Sequence, residues 1–355
     1  MVDWLAGKRV RGTSSERTPL GTAVGGTGVG GWVELGRSNV SAGVYDVSSL
    51  PDKRYYMILG DLQLDAGISP IDMRINADLV SNYATRASVD GATDTTATLN
   101  RNQLGNTNYA ASSDSFLVGY IANRSTNEKL HFGHIVNNVA AGVAPKRTEY
   151  SAKWANTSNA LNQIQISNYS GSAGNYDAGE LVVLGWDPAD THTNNFWQEL
   201  ASVELGSANA NLSSGTFTAK KYLWVQIWVK GTGAGVVPVV TFNNDTSTNY
   251  ALRYSGDGAA DSTLTSYTSL GNGGGVGAGQ SMFRNLFIIN NTSNEKLVID
   301  HTINNNTGTG AGNAPQRFEQ VNKWANTSNQ ITEIDVTTAT STLTAGSIIK
   351  VWGAD

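Results

Sequence analysis

The heptapeptide Lys-Trp-Ala-Asn-Thr-Ser-Asn occupies residues 153–159 and occurs again at residues 323–329. Other matching pairs lie 167 residues apart: Asn127-Glu128-Lys129-Leu130 with Asn294-Glu295-Lys296-Leu297, His134 with His301, and Ala178-Gly179 with Ala345-Gly346. The heptapeptide lies 170 residues from its copy. The second half of the chain therefore has three additional residues before the heptapeptide and three fewer after it. A period of this length is that of a whole domain, not of a solenoid repeat. The sequence therefore predicts a duplicated domain.

The composition indicates what kind of domain is duplicated. The 355 residues include 39 glycines and only 15 % charged residues, and Asn, Ser and Thr are abundant. These residues favour strands and turns over helices, and no long helical periodicity is present. Each half contains about eight or nine extended runs separated by turn residues, which is typical of an antiparallel sandwich. We expect an all-β chain of two tandem, jelly-roll-like β-sandwich domains.

The boundaries follow from the repeat and from the glycine content. Residues 1–31 form a basic, glycine-rich arm, and residues 188–196 form a short polar linker. Module one (32–187) lies between the arm and the linker, and module two (197–355) follows the linker. Trp32 and Trp197 are predicted to open corresponding strands.

Charge and cysteine content exclude several classes of function. The formal net charge is −5, so there is no broad basic surface for nucleic acid. The chain has no cysteine, which excludes disulfides and thiolate metal sites. No apolar run reaches membrane-spanning length, and the start of the chain lacks a signal-peptide core. We expect no nucleic-acid partner, no membrane insertion, no signal peptide and no cofactor.

The arm allows two interpretations. It has a net charge of +2 and an apolar pair near its start, followed by a glycine-rich tether. One interpretation is a disordered tail. The other is an assembly arm that docks on an acidic partner. Its candidate contact residues are Trp4, Leu5, Lys8, Arg9 and Arg11.

The histidines and acids give no catalytic pattern. His131 and His134 are three residues apart, so a regular strand places them on opposite faces and they cannot share a metal ion. We expect His134 and His301 to have structural roles. The Asp78–Asn82 and Asp245–Asn249 segments could hold calcium, but turn formation is the commoner use of such residues. Asp94 and Asp261 correspond, but neither has a carboxylate partner in the sequence of the kind a glycosidase needs. We predict no catalytic residues and no metal.

Tryptophan offers one candidate ligand site. Trp154 and Trp324 lie in the copied heptapeptide and could stack on a glycan. Matching positions in two modules fit core anchoring at least as well. Both alternatives stay open at this point.

Several short motifs resemble a known group. An apolar-Asn-x-Asp turn precedes Asn-Tyr (Phe242 to Tyr250), a Trp-Ala-Asn-Thr stretch follows, and Ala-Gly-Ser closes into Val-Trp-Gly (Ala345 to Gly353). This pattern resembles the β-sandwich modules of structural proteins in tailed-phage and related virions. Module one departs from it, with Glu180 in place of the serine. The resemblance implies a capsid-decorating, fibre or tail component located in the virion.

Three functions remain as hypotheses. The first is a non-enzymatic structural protein of a virus particle, of which a double-jelly-roll capsid protein is a variant. The second is a pair of carbohydrate- or receptor-binding modules that contact a host-surface glycan. The third is a polysaccharide-degrading enzyme, which would need two carboxylates in a groove. By analogy with fibre and decoration proteins, we expect a homotrimer that also contacts other virion proteins.

Overall fold

The computed structural model describes residues 31–64, 69–109, 113–124, 126–140, 142–169, 175–188, 190, 195–233, 235–271, 274–305, 307–308 and 310–355. Within these ranges the chain forms strands and turns. No helix in the described part of the chain is long and apolar enough to cross a membrane. The expectation of an all-β chain is confirmed.

Module one is a sandwich of an eight-stranded and a four-stranded antiparallel sheet. Its strands are β1 (Val33–Asn39), β2 (Val44–Val47), β3 (Tyr55–Leu64), β4 (Ser69–Ile75), β5 (Tyr83–Val89), β6 (Thr95–Leu99), β7 (Asn102–Tyr109), β8 (Asp114–Ala122), β9 (Lys129–Asn137), β10 (Lys146–Trp154), β11 (Ile164–Ser167) and β12 (Tyr176–Trp186). The large sheet has the order β1-β12-β3-β8-β9-β10-β5-β6, and the small sheet has the order β2-β11-β4-β7.

Module two repeats this arrangement with eight and three strands. Its strands are β13 (Gln198–Glu204), β14 (Asn211–Ser213), β15 (Tyr222–Lys230), β16 (Pro238–Phe242), β17 (Tyr250–Gly256), β18 (Ser262–Tyr267), β19 (Ser281–Ile289), β20 (Lys296–Asn304), β21 (Gln316–Trp324), β22 (Ile334–Thr338) and β23 (Ile348–Ala354). The orders are β13-β23-β15-β19-β20-β21-β17-β18 and β14-β22-β16. They match module one strand for strand, except that β7 has no named counterpart.

Each module therefore has more strands than the eight or nine expected from the sequence. The additional ones include β6, β14 and β18, which are three to six residues long, and their side chains alternate only weakly between buried and exposed. In module two the region of β7 forms only isolated bridges, Val240 with Leu270 and Val236 with Val276. Short strands at a sheet margin give little periodic signal, which explains the lower expectation.

The register refines the alignment of the two closing strands. Gly185 pairs with Tyr56, and Gly353 pairs with Leu223. A Cβ at Gly185 would lie 2.4 Å from the side chain of Leu35, and one at Gly353 would lie 2.6 Å from that of Leu200. At both positions the absence of a Cβ leaves room for a neighbouring leucine side chain, so the two glycines are equivalent. The repeat distance at this point is 168 residues.

Three cores hold the four sheets together. One core fills module one, around residues such as Ile58 and Trp154, and a second fills module two, around Val225 and Trp324. The third lies between the two large sheets, which pack face to face. This middle core consists of Met57, Leu59, Phe116, Val118, Val136, Val182, Leu184, Trp197, Tyr222, Phe287, Ile289, Leu297, Ile299, Val321 and Ala354. The modules thus share buried apolar surface and are not joined by the linker alone.

Candidate functional site

One face of each large sheet is turned toward the other module. The two modules bury different halves of this face in the middle core. In module two the buried half includes Tyr222, Leu297 and Ile299, which are 0 %, 1 % and 1 % exposed. The register makes these equivalent to Tyr55, Leu130 and Phe132 of module one, which are 36 %, 57 % and 53 % exposed. The half that is covered in module two is therefore open in module one. We call this surface of module one the open half-face.

The open half-face forms the floor of a groove of about 840 Å³. Its outward-facing lining residues are Trp32, Tyr55, Ala84, Arg86, Thr96, Thr98, Tyr120, Ala122, Leu130, Phe132, Ser151, Lys153 and Trp186. Five of these side chains are aromatic, and most of them contact one another. The rings of Tyr55 and Trp186 stack at 5.3 Å and 19°, and those of Tyr120 and Phe132 stack at 5.4 Å and 27°. The groove is a concave, predominantly apolar site of the kind that binds a ligand or another chain.

The charged groups on the rim of the groove are paired. The Arg86 guanidinium lies 3.4 Å from the Asp94 carboxylate, and Lys153 Nζ lies 2.9 Å from the Glu128 carboxylate. All four side chains are more than a third exposed, so these pairs contribute little to stability. They leave the rim close to neutral. The groove therefore offers apolar contact and shape more than charge.

The half of the module-two sheet face that lies outside the middle core is more polar than the equivalent half in module one. Gln226, Asn285 and Lys350 form one cross-strand row of the large sheet. The same row in module one is Leu59, Val118 and Val182, all of them in the middle core. A polar row does not gain from burial in the way the apolar row does. Module two is thus poorly suited to cover the open half-face of its own chain.

A pair of histidines lies at the inner end of the groove. His134 and His301 are equivalent residues of the two modules, and their ring centroids are 4.3 Å apart. They line a pocket of about 270 Å³ together with Tyr120 and Phe132, which also line the groove. His134 and His131 lie on opposite faces of β9, as the spacing predicts, since His131 is buried inside module one next to Tyr150.

Each of these histidines is the register partner of a glutamate on the neighbouring strand. His134 pairs with Glu149 on β10, and His301 pairs with Glu319 on β21. Glu149 and Glu319 both contact the Arg147 guanidinium, so this carboxylate pair belongs to an ion-pair network and is not the free pair that a glycosidase uses. Arg147 links the group across the modules, with nitrogens 2.6 Å from Asp261 and 3.3 Å from Glu319.

Burial sets the protonation of this cluster. Burial lowers the pKa of His134 well below its usual value, and the nearby His301 and Arg147 lower it further. Burial also lowers the pKa of His301. Burial raises the pKa of Glu149 to about 7, with the Glu319 carboxylate adding to the effect and Arg147 opposing it. Neutral imidazoles and a Glu149 carboxyl that is easily protonated suit a buried junction between two sheets.

The two tryptophans predicted as glycan contacts lie inside the modules. Trp154 and Trp324 are each 1 % exposed. Their indole nitrogens donate hydrogen bonds to Asp78 (2.8 Å) and Asp245 (2.7 Å). A glycan cannot stack on either ring while the core is closed, so their placement favours the core-anchoring interpretation. Trp4, Leu5, Lys8, Arg9 and Arg11 lie outside the described residues.

The same two aspartates are the candidate ligands in the calcium alternative. Asp245 accepts hydrogen bonds from the backbone N–H of Ser247, from the Asn249 amide and from the Trp324 indole. Burial opposes its ionisation, but these donors outweigh burial and hold its pKa at about 2. A carboxylate that accepts several N–H donors from its own turn serves to form that turn. Among the described residues, no three His, Asp or Glu side chains are arranged to hold a metal ion.

Sequence reasoning did not identify the groove. One signal was available on β9, where Leu130 and Phe132 are apolar on one face while His131 and Ile135 are buried on the other. A strand that is apolar on both faces indicates burial or contact on both sides. The sequence alone does not show that one copy of this face is left uncovered.

No family model matches the chain, and no curated protein matches it. Among solved structures, domains LG4-5 of the mouse laminin alpha1 chain are 8 % identical, with 91 % of this chain and 90 % of that chain covered and a TM-score of 0.19. The NanC porin is 9 % identical, with coverages of 73 % and 99 % and a TM-score of 0.13. A putative MaoC domain dehydratase from Chloroflexus aurantiacus is 7 % identical, with coverages of 71 % and 78 % and a TM-score of 0.12. Likenesses with TM-scores this low do not bear on function.

Proposed function

We propose that the chain is a non-enzymatic structural protein of a virus particle, of the capsid-decorating, fibre or tail class. It assembles through its N-terminal arm and the surfaces of its sandwiches. The observation that carries the proposal is the open half-face, an apolar surface that module two buries and module one presents. Large exposed apolar surfaces mark contacts with other chains. The resemblance of the closing motifs to virion modules supplies the kind of particle.

Immunogold electron microscopy tests this proposal. Antibodies raised against the recombinant chain are applied to virus particles purified from the source of the sequence, with pre-immune serum as the control. We expect gold at a fixed place on the particles. Gold that is absent from intact particles, with the chain confined to the soluble fraction, would contradict the proposal.

The oligomeric state provides a second, independent measurement. A homotrimer is the proposed state, because symmetric neighbours are a common way to cover exposed apolar surfaces and sheet edges. Sedimentation velocity of the full chain should give three times the mass of one chain, 37.6 kDa. A monomer at all concentrations tested would contradict self-assembly in the absence of other virion proteins.

Glycan binding is a second candidate, and one observation favours it. The stacked rings of Tyr55 and Trp186 form a partly exposed aromatic platform inside the groove, and the Ser151 and Thr98 side chains line the groove farther along the sheet. Aromatic faces with a few polar groups suit a ligand with both apolar and hydroxyl surfaces. A glycan array should then give a signal that Trp186→Ala abolishes and that Trp228→Ala, outside the groove, leaves intact. A blank array for the native chain would eliminate this candidate.

A further inference from the structure

We propose that the groove on module one is the docking site of the N-terminal arm, with Trp4 and Leu5 as the side chains that enter it. The inference deepens the proposed structural role and rests on it for its purpose. It assigns a binding surface to the arm and an occupant to the groove.

The surface is one that protein side chains cover in the other module. At the positions of Leu130 and Phe132, module two has Leu297 and Ile299, each 1 % exposed beneath the sheet of module one. Burying apolar side chains of this size stabilises a contact. The open half-face offers several such side chains, so an apolar segment placed there gains similar burial.

Module two is not the partner in its own chain. At the positions where module one has an apolar row in the middle core, module two has Gln226, Asn285 and Lys350. Module two contacts the opposite end of β9, for example where Lys323 Nζ donates to the carbonyls of Asn138 and Ala140. Module two therefore leaves the open half-face available to a different segment.

The arm joins the described chain at the edge of the groove. Residues 1–30 precede Gly31, and the next residue, Trp32, lines the groove with its ring 6.4 Å from that of Tyr120. The Trp32 carbonyl accepts a hydrogen bond of 2.8 Å from the backbone N–H of Phe196, which fixes this entry point. Thirty residues reach up to about 100 Å when extended, so the arm can cover the groove of its own chain or of a neighbour.

The composition of the arm fits this occupant. Trp4 and Leu5 are adjacent large apolar residues, and a glycine-rich tether separates them from Trp32. Aromatic anchors that fill apolar pockets dominate the energy of many protein contacts. Because the rim is nearly neutral, Lys8, Arg9 and Arg11 are left to face solvent or another virion protein.

Disulfide trapping in the full chain tests the proposal, because the natural chain has no cysteine. The test pair is Leu5→Cys with Leu130→Cys. The control pair is Leu5→Cys with Val237→Cys, since Val237 is also exposed (38 %) but lies beside β16 in the outer sheet of module two. Docking raises the effective concentration of the two thiols, so the test pair should cross-link at least about tenfold faster. A non-reducing gel shows whether the bond lies within one chain or between two chains, and either result supports the proposal. Equal rates for the two pairs would overturn it.

Limited trypsin digestion gives a second readout without new cysteines. The arm contains Lys8, Arg9, Arg11 and Arg17 as cleavage sites. Leu130→Gln with Phe132→Gln should release the arm and accelerate its cleavage, whereas Val237→Gln should not. Both groove residues are more than half exposed, so the body of the protein should keep its thermal transition. Unchanged cleavage in the groove variant would contradict docking. The immunogold result does not depend on either experiment, so the two proposals can fail separately.

Discussion

At the scale of single residues, equivalent side chains have the same structural roles in the two modules. Asp78 and Asp245 each accept the indole N–H of the buried tryptophan and a side-chain amide N–H from the turn that follows. Asn76 and Asn243 adopt positive φ angles of 53° and 51° at the start of these turns. Asparagine tolerates this left-handed conformation better than most residues. The repeated polar residues are thus turn and core determinants.

The first prediction follows from the burial of Trp324. Trp324→Ala should lower the free energy of unfolding by about 3–5 kcal/mol, the usual cost of truncating a buried aromatic side chain. Trp228→Ala should cost clearly less, because that indole is 37 % exposed. Urea denaturation followed by circular dichroism measures both. A Trp324 variant as stable as the native chain would contradict the core-anchoring role.

At the scale of elements, the crossing of β9 and β20 brings the histidine pair together and makes the junction sensitive to acid. The pKa values of His134 and His301 in the folded chain lie below their usual value of 6.5. As the pH falls below 6.5, the unfolded chain therefore binds protons before the folded chain does, and stability is lost.

The second prediction is a fall in melting temperature as the pH drops from 7.5 to 5. His134→Phe with His301→Phe should reduce this fall, because the variant has no imidazole to protonate at the junction. Differential scanning fluorimetry across this pH range measures both proteins. An identical pH dependence in the variant would show that the pair does not control the junction.

Glu149 acts in the opposite direction and supplies a control. Its folded pKa of about 7 lies above its ordinary 4.5, so its contribution to stability is complete below pH 4.5 and is lost as the pH rises towards 7. Removing this opposing term with Glu149→Gln should make the acid-induced fall steeper than in the native chain. A shallower fall would mean that the sign assigned to Glu149 is wrong.

The strands were largely predictable from the sequence, but the site was not. Alternation and turn residues mark long strands such as β3 and β15, and the repeat predicts that the two halves share a strand order, which is confirmed. The packing of the two modules has no local signature. Phe132 and Ile299 occupy equivalent positions in similar patterns, yet one is open and the other is buried. Only the relative placement of the large sheets decides which copy of the face is covered.

At the scale of the whole molecule, the middle core couples the two modules. It includes large side chains from both modules, for example Phe116 and Tyr222, whose ring centroids are 6.3 Å apart. Ion pairs such as Lys221 with Asp61, at 2.9 Å, also cross the junction. Large apolar interfaces of this kind make domains unfold together.

The third prediction is therefore a single cooperative unfolding transition for the full chain. Differential scanning calorimetry should show one endotherm, because unfolding of one module exposes the middle core of the other. Leu59→Asp, which places a charge in that core, should lower the transition temperature or split the transition. Two well-separated endotherms in the native chain would contradict coupling.

The central claim is that this is a structural protein that assembles through its arm, and particle incorporation tests it most directly. Virus particles are produced with either the full chain or a chain lacking residues 1–31, and quantitative mass spectrometry counts copies per particle. We predict that the truncated chain stays soluble, keeps the thermal transition of the full chain and is missing from the particles. Incorporation of the truncated chain at full occupancy would contradict the account and would place the docking surface on a module.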